Sequence, residues 1–326
     1  MKKLYAGVDI HKDKYVGRII DSDGKVVREH TFPSTKEGAQ SFLCGMPVSA
    51  VVIESCTMWR AAMKIFREIG YEVKVSSAKK THDIACSRKT DKVDAKILAD
   101  LLCTNYLPEV YVPNDTILNY RDLTRGRANL TRSRVLYQNK IKCRLLMQGI
   151  AYPTKLWNKK NMEWLTSLDD SLIVNLVAVR ASIEKQEKLV QRKIEKIARS
   201  HRKANLLRTM PGIAEFGAMM IFAEIGDINR FKSPKQLAMY AGLCPGVYQT
   251  GNSERSIRNH AVNKWLKWII TECSGRASIL GGTKFQCHYA KIKKRKNSKV
   301  ARRSTARKML TIIWHMLNDE VPYHAS

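Results

Sequence analysis

Four carboxylates stand where carboxylates are costly or closely paired. Asp9 lies inside the apolar run LYAGVDI, between Val8 and Ile10, and Glu54 ends the apolar run SAVVIE that starts at Ser49. Burying such a charge costs several kcal/mol unless a cation or a hydrogen-bonding partner compensates. Asp91 and Asp94 stand three apart in RKTDKVDAK, where a helix is predicted to begin, so both project from one helical face. Acids number 29 against 58 lysines and arginines, which makes acidic clusters rare in this chain. A strand acid, a strand-end acid and a helical pair form a donor set for divalent cations. Mg²⁺ takes hard oxygen ligands and keeps its other positions for water and phosphate. Two such ions ~3.5–4 Å apart can activate an attacking oxygen and stabilise a leaving one. Each acid also has an ordinary structural reading: a turn residue for Asp9, a helix cap for Glu54, lysine partners for Asp91 and Asp94. His11 either assists such a site or is a structural imidazole.

These acids need elements to hold them. Strands are predicted over LYAGVDI, YVGRII and KVVREHTF, with the turn Asp21-Ser22-Asp23-Gly24 joining the last two as a hairpin. SAVVIE has a buried-strand pattern. Met58, Ala62, Ile65, Phe66 and Ile69 share one face of a predicted helix that Gly70 stops, and a strand follows from Tyr71 to Val75. The first hundred residues therefore read β-β-β-α-β-α-β, a mixed sheet with helices on its faces. The next helix starts after Thr90 as N-cap, with Ile97, Leu98, Leu101 and Leu102 as its apolar face.

The remainder reads as helical and basic. Residues 116–148 form one long predicted helix, with eight Lys or Arg in the 24 positions from Arg121 to Arg144 against the single acid Asp122. In the helical region 163–205, positions 172, 176, 179, 183, 186, 190, 193 and 197 follow a 4-3 alternation, apolar except at Gln186 and Lys193. That is a coiled-coil-like seam, serving either a hairpin within the chain or a dimer. From Leu206 a Pro211-Gly212 turn separates two helical halves, as in a helix–hairpin–helix whose turn faces a phosphate, or as in a plain αα-turn. A loop rich in Gly, Pro, Ser and Asn is expected over 242–256. Eleven Lys or Arg with no acid fill the 25 positions from Lys284 to Lys308, framed by Phe285, Tyr289, Met309 and Trp314, which favours an ordered phosphate-binding surface.

Composition narrows the classes. The 326 residues carry a net charge of 58 − 29 = +29, and the 44% apolar fraction suffices for real cores, so the expected partner is a polyanion. No run of 18 apolar residues occurs, which argues against a membrane span. Asp9 falls where a signal peptide needs its apolar run, which argues against secretion. Eight cysteines without a CxxC pair read as reduced thiols of a cytoplasmic protein.

The segments GVDIHKD, VVIES and RKTDKVDAKILADLL, in this order, resemble the Asp-Glu-Asp-Asp transposases of insertion-sequence family one hundred and ten, with which the pilin-segment inversion recombinases belong. MPGIAEFGAMMIFAEIGDINRFKSPKQLAMYAGLCP is similar to that family's second domain. KTDKVDA is the more specific match. The resemblance implies an α/β plus α chain. Residues 1–150 would form a RuvC-like domain of RNase H fold, 151–205 a coiled-coil helical linker, and 206–326 a mainly helical transposase domain. It places the metal-binding and catalytic acids on Asp9, Glu54, Asp91 and Asp94, with Mg²⁺ as cofactor and Mn²⁺ as the alternative.

The family's second domain carries a serine, followed by glycine, that attacks DNA and forms a covalent intermediate. In GLCPGVYQTGNSERS the matching residue is Thr250, before Gly251, with Ser253 or Ser256 as substitutes through a loop shift. Threonine keeps the hydroxyl on a bulkier, stiffer side chain. Tyr5, Tyr240 and Tyr248 are further hydroxyls that no spacing singles out. The implied partners are donor and target DNA, a structured guide RNA from the element's non-coding ends, and further copies of the chain in a homodimer or homotetramer. The implied place is the cytoplasm, at the nucleoid, with no membrane. Arg125, Arg127, Arg132, Arg134, Lys140, Lys142 and Arg144 of the long helix, with Lys293, Lys294, Arg295, Arg302 and Arg303, are the expected nucleic-acid contacts. Two other readings compete: an RNase H-like nuclease or junction resolvase using metal-activated water, and a non-catalytic basic scaffold. The scaffold leaves Asp9 and Glu54 unexplained.

Overall fold

A computed structural model describes residues 2–85, 90–244, 246–250, 253–257 and 262–324, with backbone alone for the segments 246–250 and 253–257. The chain forms two units, Met1–Val112 and Pro113–Ser326.

In the first unit β1 (Leu4–Ile10), β2 (Lys14–Asp21), β3 (Val26–Pro33), β4 (Val48–Glu54) and β5 (Val73–Ser76) form one sheet of order β3-β2-β1-β4-β5. β1, β2 and β3 are an antiparallel meander, and β4 and β5 run parallel to β1. The β2–β3 turn forms because Gly24 takes a positive φ of 79° and the Asp21 carboxylate accepts from the backbone N–H groups of Asp23 and Lys25. Parallel strands need crossovers, and α1 (Lys36–Leu43) and α2 (Trp59–Glu68) supply them. The observed order through β5 is the expected β-β-β-α-β-α-β, and the mixed sheet is compatible with an RNase H-like domain.

Both sheet faces are covered. Ile19, Phe32, Phe42, Ile53 and Phe66 pack on one side, and Val52, Leu98 and Leu102 on the other. α3 (Ala78–Ala85) precedes α4 (Asp91–Cys103), which lies against β1. Gly7 permits that approach: a Cβ there would stand 2.2 Å from the Ala95 carbonyl oxygen and 2.5 Å from the Ala99 nitrogen.

The second unit begins with α5 (Asp115–Met147), α6 (Lys159–Ser167), α7 (Ser171–Ser200) and α8 (Arg202–Arg208). α5, expected within a first domain of 1–150, packs here against α7 and α9 (Glu215–Ile225). The seam along α7 lies one residue from its expected register. Ile173, Val177, Arg180, Glu187, Ile194 and Ala198 are buried, while Leu172 and Val179 are exposed. Two polar residues hold core positions because each is paired, Arg180 with Glu184 and Glu187 with Arg134. The 4-3 spacing is present, and in this chain it serves packing within the unit.

α9 is buried on all sides from Gly217 to Ile225, with Glu224 its one buried charge, and is therefore central, between α5, α7, α8 and α11 (Lys264–Ala277). α10 (Pro234–Tyr240), α12 (Lys284–Arg295) and α13 (Ser298–Asp319) complete the helices. The region expected to be an irregular loop instead contains an antiparallel hairpin, β6 (Gly246–Thr250) and β7 (Ser253–Ile257), paired from Gly246↔Ile257 to Thr250↔Ser253. The signal for it is the Gly251-Asn252 dipeptide between two short runs; these two residues lie outside the described ones. No described helix is long and apolar enough to cross a membrane.

Candidate metal centre and hydroxyl hairpin

Alternation along β1 puts Asp9 on the same face as Gly7. The face that admits α4 therefore turns the Asp9 carboxylate toward that helix. The Thr90 side chain accepts from the Val93 N–H at 3.3 Å and fixes where α4 begins. Asp91 and Asp94 consequently occupy the first turn, at the positive end of the helix dipole. The His11 Nε2 stands 3.0 Å from an Asp9 oxygen and 3.4 Å from an Asp91 oxygen, and the Lys14 Nζ is 3.8 Å from Asp91. One ligand atom each from Asp9, His11 and Asp91 lie within 4.8 Å of one another.

Glu54 follows Ile53, the register partner of Val8, so it ends the strand beside Asp9. Glu54 and Asp94 line a small cavity of about 70 Å³ with Thr81 and His82. Among the described residues the tight group contains Asp9, His11 and Asp91, while Glu54 and Asp94 stand outside that 4.8 Å set. Asp94 is nevertheless near enough for its charge to act on Asp9. Burial pushes the Asp9 pKa above the ordinary carboxylate value; His11 opposes the shift, and the like charges of Asp94 and Asp91 add to it. A desolvated carboxylate among other carboxylates is short of positive charge. Two carboxylates with an imidazole nitrogen suit a divalent cation, the oxygens favouring Mg²⁺ or Mn²⁺ and the nitrogen tolerated better by Mn²⁺.

In the second unit Thr250 closes β6 and Ser253 opens β7, directly opposite each other in register. Their side chains, with those of Tyr248 and Ser256, lie outside the described residues. α8, the Pro211-Gly212 turn and α9 form the expected two helical halves. Beside that turn a cavity of about 660 Å³ is lined by Phe216, Trp268, Arg127 and Arg276, among others.

The basic residues divide sharply. Arg125 grips the fully buried Glu224 with two bonds of 2.7 and 2.8 Å. Arg134 and Thr131 hold Glu187 at 2.7 and 2.8 Å, with Arg127 at 3.7 Å. Arg144 holds Asp170 at 2.8 Å. These four arginines serve carboxylates of their own chain. Arg132 is exposed and lies over the rings of Trp265 and Trp268, while Lys140 and Lys142 approach Tyr137 and Tyr152. Lys293, Lys294, Arg295, Arg302 and Arg303 are exposed on α12 and α13. Glu224 carries no role in the sequence; its signal is an acid in the last turn of EFGAMMIFAEI, whose only other acid, Glu215, stands at the N-terminus of the helix.

Acids thus gather at the ends of parallel strands, and a basic helical unit follows them in the chain. Two transposase family profiles match, one over residues 6–150 and another, described as the transposase IS116/IS110/IS902 family, over residues 204–290. The chain carries both domains of the IS110-type transposases and belongs to that family.

Relatives agree. The transposase for insertion sequence element IS1111A of Coxiella burnetii is 24% identical over 259 residues, 76% of this chain and 70% of its own. The transposase for IS1328 of Yersinia enterocolitica is 22% identical, covering 82% of each chain. The pilin gene-inverting protein of Moraxella bovis is 25% identical over 78% of this chain and 76% of its own. The match to y4qE of Sinorhizobium fredii, 28% identical over 190 residues, spans 57% of this chain and about half of that relative's length, 47%.

Proposed function

We propose that this protein cuts and rejoins DNA strands, using the acid cluster of the first unit and a hydroxyl of the β6–β7 hairpin. The observation that carries this reading is the convergence of Asp9, His11 and Asp91 within 4.8 Å, in a chain with both transposase domains. Asp9 and Asp91, with Asp94 and Glu54 beside them, would hold Mg²⁺ or Mn²⁺. When bound, such an ion supplies charge neutralisation at a scissile phosphate.

The chain's own residues do the rest. His11, between two carboxylates, orients both. Thr250 attacks phosphorus through its hydroxyl oxygen. The bond from phosphorus to the departing DNA oxygen breaks, that oxygen takes up a proton, and a phosphodiester to threonine remains. Attack on this ester by the hydroxyl of another DNA end releases Thr250 and joins the strands. Ser253, opposite in register, is the alternative nucleophile.

The division into a RuvC-like domain of RNase H fold (1–150), a coiled-coil linker (151–205) and a transposase domain (206–326) is part of the proposal, supported by where the two family matches end and begin. So are a structured guide RNA, a homodimer or homotetramer, and a place at the nucleoid, all supported by the family likeness. Arg132 backed by tryptophans, Lys140, Lys142 and the exposed bases of α12 and α13 are the groups best placed to meet phosphates. Arg125, Arg127, Arg134 and Arg144 would act beneath them, through the carboxylates they hold.

The test uses the full chain on labelled DNA. Asp9→Ala and Asp94→Asn are expected to abolish recombination while the melting temperature holds; activity retained in either removes the metal-site reading. On a denaturing gel a protein–DNA adduct that vanishes in Thr250→Ala is expected. Metal-dependent cleavage without any adduct would favour the nuclease.

A further inference from the structure

The hairpin with the candidate hydroxyls is closed at its base by groups that no spacing in the sequence brings together. Tyr240 ends α10 and Asn263 caps α11, and residues 241–262 between them contain β6 and β7. The Asn263 N–H donates to the Tyr240 carbonyl oxygen at 2.8 Å, and its Nδ2 donates to the Tyr240 hydroxyl at 2.9 Å. The same Nδ2 donates to a Glu224 carboxylate oxygen at 2.8 Å. The Tyr240 hydroxyl reaches the Glu224 carbonyl oxygen at 3.4 Å. Gly242, with φ of 65°, lies so near Val262 that a Cβ would meet its side chain at 2.8 Å. Outgoing and returning chain are thus pinned together where the hairpin departs.

Glu224 is itself fixed. It is fully buried, gripped on both carboxylate oxygens by Arg125, and Arg121 donates to the carbonyl oxygens of Ala223 and Glu224 at 2.7 and 2.9 Å. A buried charged network is seldom the cheapest way to stabilise a fold, since well-packed apolar residues do as well or better. What a fully satisfied network adds is a single arrangement of its members.

We propose that Glu224, held by Arg125 and bonded to Asn263 beside Tyr240, is a positioning group that closes the stem of the β6–β7 hairpin and fixes where its hydroxyl residues stand. The inference rests on the reading that this hairpin supplies the attacking hydroxyl. It gives the basic helix α5 a second role: Arg125 on that helix sets the hairpin's place through Glu224 and Asn263.

The discriminating variant is Asn263→Asp in the full chain. Asn263 caps α11 through its Oδ1, which accepts from the N–H groups of Trp265 and Leu266, and aspartate caps equally well. The substitution removes only the amide donors and sets a carboxylate against Glu224. Adduct formation on labelled DNA is expected to fall by about tenfold to a hundredfold, as a misplaced reacting group requires, with DNA affinity unchanged. Amide hydrogen exchange over 246–250 and 253–257 is expected to quicken. The exchanged pair Glu224→Gln with Asn263→Asp restores a donor opposite a carboxylate, and is expected to recover both readouts.

A folded Asn263→Asp protein with unchanged exchange and unchanged adduct rate overturns the proposal. So does a loss of rate that only follows a loss of DNA affinity, or an exchanged pair that recovers neither readout. If Asn263→Asp does not fold, Asn263→Ser, which keeps a capping oxygen and lacks the amide, decides by the same criteria. If the native chain forms no adduct at all, the hydroxyl reading fails, and the exchange rates still judge the stem.

Discussion

Asp9 of the first unit and three carboxylates of the second are treated in opposite ways, although the first unit also has arginine-held acids such as Glu29, paired with Arg18. In the second unit Glu224, Glu187 and Asp170 each meet an arginine of the same unit: Arg125, Arg134 and Arg144. Bonds from Arg144 and neighbouring donors hold Asp170 below the ordinary carboxylate range. For Glu187 burial works upward, yet Arg134 and Thr131 outweigh it and the net shift is down. In the first unit Asp9 has an imidazole beside it and two further carboxylates near it, and burial drives its pKa up. A carboxylate whose countercharge comes from its own unit is structural. Asp9, with like charges beside it and one imidazole, is the carboxylate that the proposed function assigns to a cation.

The contrast fails first where its energies are largest. Glu224→Ala leaves the buried Arg121 and the half-buried Arg125 without their carboxylate, and should destabilise the protein by about 3 kcal/mol, read from denaturant unfolding followed by circular dichroism. A loss under 1 kcal/mol would mean that the pair carries no structural weight. Glu187→Ala removes the partner of Arg134, Thr131 and Arg127 and should cost roughly 1–3 kcal/mol.

Stability should also respond to acid with opposite signs. Glu187 and Asp170 have folded pKa values below their unfolded ones, so each contributes stability that is present above the unfolded pKa and lost as pH falls through the folded one. Asp9 has the reverse shift and costs stability above its folded pKa, a cost relieved as pH falls through it. Asp9→Asn should therefore leave the metal-free melting temperature at neutral pH equal to or above that of the native chain, while Glu187→Gln lowers it.

The smallest effect on stability belongs to the outer bases. Replacing Lys293, Lys294 and Arg295 by alanine should leave melting unchanged. The slope of log affinity for duplex DNA against log salt should fall by up to about 0.9 for each phosphate contact removed. Arg134→Ala should do the converse, lowering the melting temperature and sparing the slope.

Much of the first unit was legible because its signals are local. Alternation marks the strands, Gly24 marks the hairpin, and Thr90 with its acids marks the start of α4. Asp9 stood out as a charge inside an apolar strand. Other features depend on partners far away in the chain. The α7 stripe sits one residue from its apolar reading because Arg180 and Glu187 take core positions once Glu184 and Arg134 pair with them. The arginines of α5 look like a ligand surface until Glu224, Glu187 and Asp170 are placed opposite them. Glu224 and Asn263 meet across 39 positions, and no spacing in the sequence pairs them. Gly7 reads as one more strand residue until α4 is laid on it.

The acid cluster as a cation site is tested most directly by the melting temperature of the full chain as Mg²⁺ or Mn²⁺ is titrated, compared with Asp9→Asn. The native protein should gain stability in a saturating manner, as a ligand that binds only the folded state requires. Asp9→Asn should begin no lower and show no gain. An equal rise in both proteins would place the bound metal elsewhere and contradict the account.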